Sequence, residues 1–338
     1  MAANSIINIP ATEMQSVFES ILLKHEFEKA KAATCARIFT ENSIDGIYTH
    51  GVNRFPRFIE YIQKGYVDKD AAPALQQQFG GIQQWNGNLG PGILNAIQAT
   101  NAVTQLAQQY GIGCVALANT NHWMRGGTYG WQAAKAGYVF FGFTNTTTLM
   151  PAWGATDARL GNNPLVIAIP YKNEAIVLDM AMSQYSFGAM EQAVVKQERL
   201  AVDGGFDENG QLTNDPALIL QSKRPLPIGY WKGAGLSLLL DLLAVVLSGG
   251  LATHEVSKQE AEYGLSQVFI AIDLSKLGNA SAIAQCIQNI IDDYKQSLPA
   301  GENEKITWPG ERVLAARQKN TLQGIPVVAE IWQQVLAL

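Results

Sequence analysis

Apolar side chains in the first sixty residues recur at helical intervals. Thr12 and Gln15 have the spacing of a capping box, which predicts the start of a helix. The apolar residues that keep helical spacing with this start are Met14, Val17, Phe18, Ile21 and Leu22. A second helix is predicted over 27–41 and a third over 55–62, with Asn53 as the N-cap and Gly65 just past the end. The peptide 48–52 is therefore a turn that leads into the third helix.

Beyond Pro73 short apolar runs alternate with helical patterns. One long helix is predicted over 93–110, closed by Gly111, and buried strands are predicted over 114–118, 138–144, 165–169, 176–180 and 268–272. The third and fourth of these strands form a hairpin around Lys172 and Asn173. Further helices are predicted over 128–136, 186–198, 235–247 and 282–296 and in two short segments from Glu311 onward. This mixture predicts an α/β fold with a mixed β-sheet and flanking helices.

Composition narrows the class of protein. The 338 residues suffice for about two domains, and a hydrophobic content of 47% excludes a disordered chain. A net charge of −5 without a basic run predicts no nucleic-acid partner. The longest apolar stretch, 236–247, is interrupted by Ser237 and Asp241 and is too short to cross a bilayer, so we expect no membrane partner. The first ten residues do not have the pattern of a signal peptide, and the three cysteines are widely spaced, so we expect a cytoplasmic protein.

Two of the four histidines lie in loops with an arginine nearby. His50 belongs to a polar turn that also carries Arg54, and His122 directly follows the predicted strand 114–118, at a position where α/β proteins bind ligands. Catalytic and purely structural roles are about equally supported for this pair, whereas His25 and His254 are predicted at the surface. No histidine or cysteine spacing is typical of a metal site, so no metal is expected.

A glycine turn over 229–237 carries Lys232 and runs into an apolar helix. Such a turn is a natural phosphate site, and it equally allows close helix packing. The chain contains no G-x-G-x-x-G motif, so a bound dinucleotide would require a fold other than a standard Rossmann domain. An acidic turn around Asp203 could orient a histidine, although a tight hairpin is the favoured reading. Asp179, at the end of a predicted strand, could bind a ribose or cap a helix.

Five segments resemble one enzyme family: THGVNRFPRFIEYI, NHWMRGGTYGWQAA, LAVDGGFDENG, PIGYWKGAGLSLLLD and EYGLSQVFIAID. They are similar to the type-2 malate/L-lactate dehydrogenases, and the resemblance runs from about residue 12 to the C-terminus. It implies a non-Rossmann α/β oxidoreductase that uses NAD(P) and acts as a homodimer on 2-oxo or 2-hydroxy acids.

The resemblance also implies roles for particular residues. His50 would be the proton donor, His122 would polarise the carbonyl or hold a neighbouring hydroxyl, and Arg54 would bind the substrate carboxylate. The implied cofactor contacts are Ala175, Ile176, Val177, Leu178, Asp179, Met180, Ala181, Trp231, Lys232, Glu311, Arg312 and Val313. The chain departs from its relatives in having Thr49 before the histidine, a one-residue insertion near Lys172 and the pair Glu311-Arg312.

These expectations combine into one functional hypothesis. Residues 1–75 would form a mainly helical segment that carries the catalytic turn and packs with C-terminal helices over 280–338, while 76–279 would form the mixed-sheet domain that binds cofactor and substrate. No basic residue is clearly placed for a 2′-phosphate, which favours NADH over NADPH. A sugar-acid substrate would explain the polar loop residues, which are Asn119, Thr120, Asn121 and 145–148.

Two alternatives stay open at this point. One is a relative that acts on malate, lactate, ureidoglycolate or a cyclic imino acid. The other is a non-catalytic protein that binds a sugar acid or a nucleotide, which the presence of His50, His122 and Lys232 makes the weaker reading.

Overall fold

The computed structural model describes residues 5–302 and 304–338 as a mixed α/β protein. Its strands are β1 (Ile6–Ile9), β2 (Ala74–Phe79), β3 (Ile82–Asn86), β4 (Ile112–Thr120), β5 (Tyr138–Thr144), β6 (Thr148–Pro151), β7 (Ala158–Gly161), β8 (Leu165–Tyr171), β9 (Glu174–Met180), β10 (Gly205–Phe206), β11 (Leu212–Thr213), β12 (Leu265–Asp273) and β13 (Ile325–Val328). Its α-helices are α1 (Ala11–Lys24), α2 (Lys29–Ile44), α3 (Phe55–Gln63), α4 (Gly92–Tyr110), α5 (Gly127–Lys135), α6 (Phe187–Lys196), α7 (Pro216–Ser222), α8 (Trp231–Ser248), α9 (Thr253–Val256), α10 (Ala280–Lys295), α11 (Glu311–Gln323) and α12 (Ala329–Leu336).

A seven-stranded sheet in the order β2-β3-β4-β12-β5-β8-β9 forms the centre of the molecule. Within this sheet β3 and β4 pair in parallel, and the other described neighbours are antiparallel. The predicted mixed sheet with flanking helices is therefore confirmed. This strand order also excludes the parallel doubly wound sheet of a Rossmann domain, as the missing glycine fingerprint predicted.

Both faces of the central sheet are covered, because successive side chains of a strand point to opposite faces. Val115 and Leu117 of β4 belong to one core cluster with α4 and α5, whereas Ala116 between them packs with Leu240 and Ala244 of α8. This alternation explains why the strands appear in the sequence as nearly continuous apolar runs.

The N-terminal helices form a second core together with residues from the other end of the chain. β1 pairs antiparallel with β13, and Trp332 of α12 packs edge-to-face on Phe18 of α1 at a centroid distance of 6.4 Å. α10 instead contacts β8 of the central sheet, where the Tyr171 hydroxyl donates to Gln288 Oε1 at 3.1 Å. The domain boundaries given in the sequence analysis stay a prediction.

An excursion between β9 and α8 forms a small unit of its own. It contains α6, α7 and the β10–β11 hairpin around a cluster of Met190, Leu200 and Ile219. The acidic glycine turn with Asp203 leads into this hairpin, which agrees with the favoured reading of that turn.

Helix starts differ most from the predictions. α1 begins at Ala11, directly after Pro10, so the capping box at Thr12 is not used. α3 has Arg54 rather than Asn53 before its first residue, because a 3₁₀ turn over Val52–Arg54 runs straight into the helix. His25 is half-buried rather than at the surface.

α8 begins at Trp231, four residues earlier than predicted, so Lys232 lies in its first turn. With 18 residues and a mean hydropathy of 1.5 it is long and apolar enough to cross a membrane, which the shorter stretch read from the sequence was not. It packs against the central sheet through one face and leaves its other face exposed.

Candidate active site

His50 and His122 lie side by side in the structure. Their rings stack with centroids 5.6 Å apart and an interplanar angle of 19°. His50 ends a 3₁₀ turn over Tyr48–His50, and His122 lies in the loop that follows β4. The structure thus brings together two loops that are separate in the sequence.

Two glycines allow this approach because a side chain would not fit at either position. A Cβ atom on Gly51 would lie 2.2 Å from the Ser43 hydroxyl, and one on Gly92 would lie 2.2 Å from the carbonyl oxygen of Asn121. The N-terminus of α4 can thus contact the backbone of the loop that carries His122.

Hydrogen bonds fix the orientation of both rings. The backbone N–H of Met124 donates to His122 Nδ1 at 3.0 Å, so the neutral ring carries its proton on Nε2 and can donate it to a ligand. His50 Nδ1 lies 3.0 Å from the Thr49 hydroxyl, and the His50 carbonyl accepts from the Asn42 amide at 2.9 Å. Thr49 was noted in the sequence as a departure, and its contact with the ring was not predicted.

Arg54 supplies positive charge next to both rings. Its guanidinium lies 3.7 Å from the Glu262 carboxylate, and no hydrogen bond from its side chain to another described residue was found. Its donors are therefore available for a carboxylate ligand, the role that the resemblance implied. Glu262 was missed by sequence reasoning because nothing local connects it with the turn around residue 50.

Burial and positive charge keep the two histidines neutral. Burial, then Arg54 and Arg125, lowers the pKa of His50 to about 4. Burial, then Arg54 and His50, lowers the pKa of His122 well below its usual range. Both imidazoles are therefore uncharged at pH 7.

Two of the polar loop residues, Asn121 and Asn145, bond to the protein backbone through their amide nitrogens. The buried Asn121 amide donates to the carbonyl oxygens of Leu89 and Tyr66 at 2.7 and 3.1 Å. Asn145 bonds to Asp241 and to the backbone of Leu251 at 2.9 and 2.7 Å. The amide nitrogens of both side chains thus have partners inside the protein, whereas Asn121 Oδ1 is buried without a hydrogen-bond partner among the described residues.

The three sequence segments with implied cofactor contacts meet along β9. Val177 of β9 donates its N–H to the Pro309 carbonyl at 2.9 Å, next to the start of α11. Ile228 donates to the Met182 carbonyl at 2.8 Å, which places the turn before Trp231 beside the end of the same strand. An extended ligand lying along β9 could therefore contact all three segments.

Individual side chains of these segments differ in how they could contact a cofactor. Trp231 is 64% exposed and Lys232 is also exposed, so both are accessible to a ligand, as is Arg312. Val313 packs into the core, and the Glu311 carboxylate accepts from Lys295 Nζ at 2.6 Å. Ala175 and Val177 are buried, so of these residues only the backbone could contact a cofactor.

Asp179 caps the start of α5. Its Oδ2 accepts from the N–H of Gly127, the first residue of α5, at 2.8 Å. Asp203 is exposed, and no hydrogen bond or ion pair from it to either histidine was found. Within the described residues no group of three or more His, Cys, Asp and Glu side chains could hold a metal ion.

Comparisons with known proteins now decide the family. The family model for malate/L-lactate dehydrogenase matches residues 9–336. The chain is 41% identical over 327 residues to a 2,3-diketo-L-gulonate reductase of Escherichia coli O6:K15:H31, covering 96% of this chain and 98% of that protein. The chain belongs to the malate/L-lactate dehydrogenase family. It is therefore an oxidoreductase that acts on a CH–OH group, and the family implies a nicotinamide cofactor.

Solved structures of this family share the fold. A malate dehydrogenase of Entamoeba histolytica has a TM-score of 0.92 at 22% identity, covering 98% of this chain and 96% of that one. A sulfolactate dehydrogenase of Methanocaldococcus jannaschii has a TM-score of 0.89 at 24% identity, covering 98% of each chain. At this identity the likeness concerns the architecture and not the substrate.

Proposed function

We propose that this dehydrogenase reduces 2,3-diketo-L-gulonate to 3-keto-L-gulonate with NADH, with His50 as the proton donor. The observation that carries the proposal is the stacked pair of His50 and His122 beside an arginine whose donors are available. The similarity over nearly the full chain to proteins named 2,3-diketo-L-gulonate reductase supports the choice of substrate.

The reaction needs three groups on the protein. Arg54 binds the C1 carboxylate with its fork of donors. Nε2 of His122 donates a hydrogen bond to the C2 carbonyl oxygen, where negative charge grows. NADH, when bound, supplies a hydride to C2, and the carbonyl π electrons form the new O–H bond with a proton from His50, so that the products are the alcohol and NAD⁺.

A neutral histidine must take up a proton before it can act as this acid. The carboxylate of the substrate cancels the positive charge of Arg54, which is one of the causes that lower the pKa of His50. Substrate binding therefore raises the pKa of His50 and loads it with a proton from solvent. His50 therefore carries the proton that it donates only while the substrate carboxylate is bound to Arg54.

The residues along β9 fit a nicotinamide dinucleotide. Lys232, in the first turn of α8, would contact the phosphates, where a lysine and helix N–H groups together favour an anion. The choice of NADH over NADPH rests on the sequence analysis and stays a prediction, because the exposed Arg312 lies at one of these segments.

A substrate panel tests the proposed activity directly. NADH oxidation is followed by absorbance with 2,3-diketo-L-gulonate, oxaloacetate and pyruvate, for the wild type and for His50→Gln, with the exposed His254→Gln as matched control. We expect turnover with diketogulonate, a loss of about 10²–10⁴-fold in His50→Gln and none in the control. Turnover confined to another acid would refute diketogulonate as the substrate. Full activity of His50→Gln would refute His50 as the proton donor.

We also propose that the protein is a homodimer through the outer face of α8. That face is apolar, with side chains 38–74% exposed, and consists of Leu236, Leu238, Leu239, Leu242, Leu243 and Val246. Two polar side chains of the helix point inward: the Ser237 hydroxyl donates to the Gly161 carbonyl at 2.7 Å and Asp241 accepts from Asn145 at 2.9 Å. These bonds tie α8 to the sheet, so a second copy is a better cover than a bilayer, which the helix could cross only by detaching.

Sedimentation of the purified protein tests this interface. The wild type should sediment at twice the chain mass of 36.7 kDa, and Leu239→Glu should sediment as a monomer. Leu298→Glu, at a position that is 92% exposed elsewhere, is the matched control and should remain dimeric. A monomeric wild type, or its flotation with phosphatidylglycerol vesicles, would overturn the proposal.

A further inference from the structure

A buried carboxylate joins two arginines behind the paired histidines. Asp45, directly after α2, is 7% exposed. It accepts a hydrogen bond from Arg125 and a two-pronged pair from Arg317, with Arg317 Nε to Oδ1 at 2.7 Å and Nη2 to Oδ2 at 3.0 Å. None of these residues faces a ligand in the reaction described above.

Each arginine connects Asp45 to a different part of the site. Arg125 lies three residues after His122, is 5% exposed, and also approaches Asp179 of β9 at 3.8 Å. Arg317 lies on α11, stacks over the Trp131 ring at 4.9 Å and approaches Glu174 at the other end of β9 at 3.6 Å. Asp45 itself is five residues before His50 in the chain.

The geometry points to Asp45 as a positioning residue for hydride transfer. Through Arg125 and Arg317 it holds the loop of His122, the turn of His50 and helix α11 in one arrangement against β9. This inference rests on the proposed function, because it assumes that the cofactor lies along β9 and that the histidines face the reacting carbonyl.

Charge makes Asp45 hard to replace. Two guanidinium groups converge on one carboxylate that is nearly inaccessible to water, so removing its charge leaves the buried Arg125 with only the longer approach to Asp179 at 3.8 Å. The loop of His122 and helix α11 would then separate. A displacement of about 1 Å between reacting groups costs on the order of 10²-fold in rate.

The kinetic test compares Asp45→Asn, which removes the charge between the two arginines, with Asp45→Glu, which keeps it, and with Arg317→Gln, which removes one arginine. We expect a kcat about 10²-fold lower, with the KM for NADH changed less than kcat, and recovery in part by Asp45→Glu. NADH deuterated at C4 should show a larger kinetic isotope effect in Asp45→Asn than in the wild type, because hydride transfer has become slower than the other steps. Arg317→Gln, at a half-buried position, provides the same readout if Asp45→Asn does not fold.

Glu41→Gln is the matched control, since Glu41 lies on the same helix and pairs with Arg37 at 2.9 Å at the surface. It should leave kcat and the isotope effect unchanged. A kcat loss in Asp45→Asn with an unchanged isotope effect would mean only a smaller fraction of folded enzyme and would overturn the inference. So would wild-type rates in both Asp45→Asn and Arg317→Gln.

Nitrogen-15 spectra of the histidine side chains separate this inference from the proposed function. The signals of His50 and His122, assigned with glutamine variants, should shift in Asp45→Asn and stay in place in Glu41→Gln, whether or not any substrate is turned over. Absence of turnover in the wild type would thus refute the proposed function, whereas unchanged histidine signals in Asp45→Asn would refute the positioning role.

Discussion

The Thr49 hydroxyl lies 3.0 Å from Nδ1 of His50, the histidine that follows it in the chain. The contact fixes which way the ring turns and leaves Nε2 for a ligand. A Cβ atom on Gly188, near the start of α6, would lie 2.4 Å from the methyl group of Thr49. The start of α6 therefore packs closely against Thr49.

Thr49→Val should lower kcat while leaving NADH binding intact. Valine keeps the shape of threonine and removes the partner of Nδ1, so the ring loses its fixed orientation. We expect a loss of about tenfold, the value of one hydrogen bond of roughly 1.4 kcal/mol. Thr49→Ser keeps the hydroxyl and should retain most of the wild-type kcat. Equal rates for the valine and serine variants in steady-state assays would contradict this role of the hydroxyl.

Arg54→Gln should weaken the binding of acids selectively. Loss of a charge-assisted pair with a carboxylate costs about 1.5–3 kcal/mol, so we expect kcat/KM for 2-oxo acids to fall by roughly 10–150-fold. Arg54→Lys keeps the positive charge but not the forked donors of a guanidinium, so its kcat/KM should lie between those of the wild type and Arg54→Gln.

Arg159→Gln is the control, because Arg159 of β7 is 75% exposed and pairs with Asp157 at the surface. A ketone analogue without the carboxylate should be reduced equally poorly by the wild type and Arg54→Gln. If Arg54→Gln lost activity equally towards the acid and this analogue, Arg54 would not be the carboxylate site.

The pH dependence of reduction should differ between kcat/KM and kcat. The acid form of His50 is needed, and its pKa in the free protein is about 4, so kcat/KM for reduction should fall as pH rises above that value. In the complex the bound carboxylate raises this pKa, so the fall in kcat should begin at higher pH. Removing Arg54 removes one cause of the low pKa of His50. In Arg54→Gln the fall in kcat/KM should therefore begin at a higher pH than in the wild type. If kcat and kcat/KM fell over the same pH range, His50 would not take up a proton when the substrate binds.

Gly92→Ala and Gly235→Ala should have opposite effects on stability. A methyl group at Gly92 would lie 2.2 Å from the Asn121 oxygen and 2.3 Å from the His122 oxygen, so α4 or the catalytic loop must move, which lowers both Tm and kcat. Gly235 lies inside α8, and nothing lies within 4 Å of an added Cβ. Alanine there should raise the free energy of unfolding by about 0.5–1 kcal/mol. Thermal melts decide this, with Gly235→Ala compared in the Leu239→Glu background that is expected to be monomeric, and a destabilised Gly235→Ala there would contradict the prediction.

The local signals in the sequence predicted most of the central sheet and its helices. Gly111, with φ of 85°, ends α4 where expected, and the hairpin at Lys172 joins β8 and β9. The strands β2 and β3 were missed because their glutamine-rich sequence has no apolar alternation. β1 and β13 were missed because each is a short strand whose partner lies at the other end of the chain.

The sequence could predict those site residues whose type and loop position are unusual by themselves. Two histidines in loops with arginines nearby indicated the pair that the structure brings together. The link from Asp45 to Arg317 leaves no trace in either helix sequence, because each residue alone is an ordinary charged residue near a helix. The partners of the loop asparagines were hidden in the same way: polarity is visible in a sequence, whereas the carbonyl oxygens that the amides of Asn121 and Asn145 bind are not.

The pairing of β1 with β13 has a consequence for protein synthesis. Ile325, Val327, Trp332 and Val335 fill the same core as α1, α2 and the turn after His50. In a nascent chain the phenylalanines of α1, α2 and α3 can pack on one another, as Phe18 and Phe55 do at 4.1 Å. The part of this core that 325–335 fill is completed only when that segment has left the ribosome, so the support of the catalytic turn is among the last contacts to form.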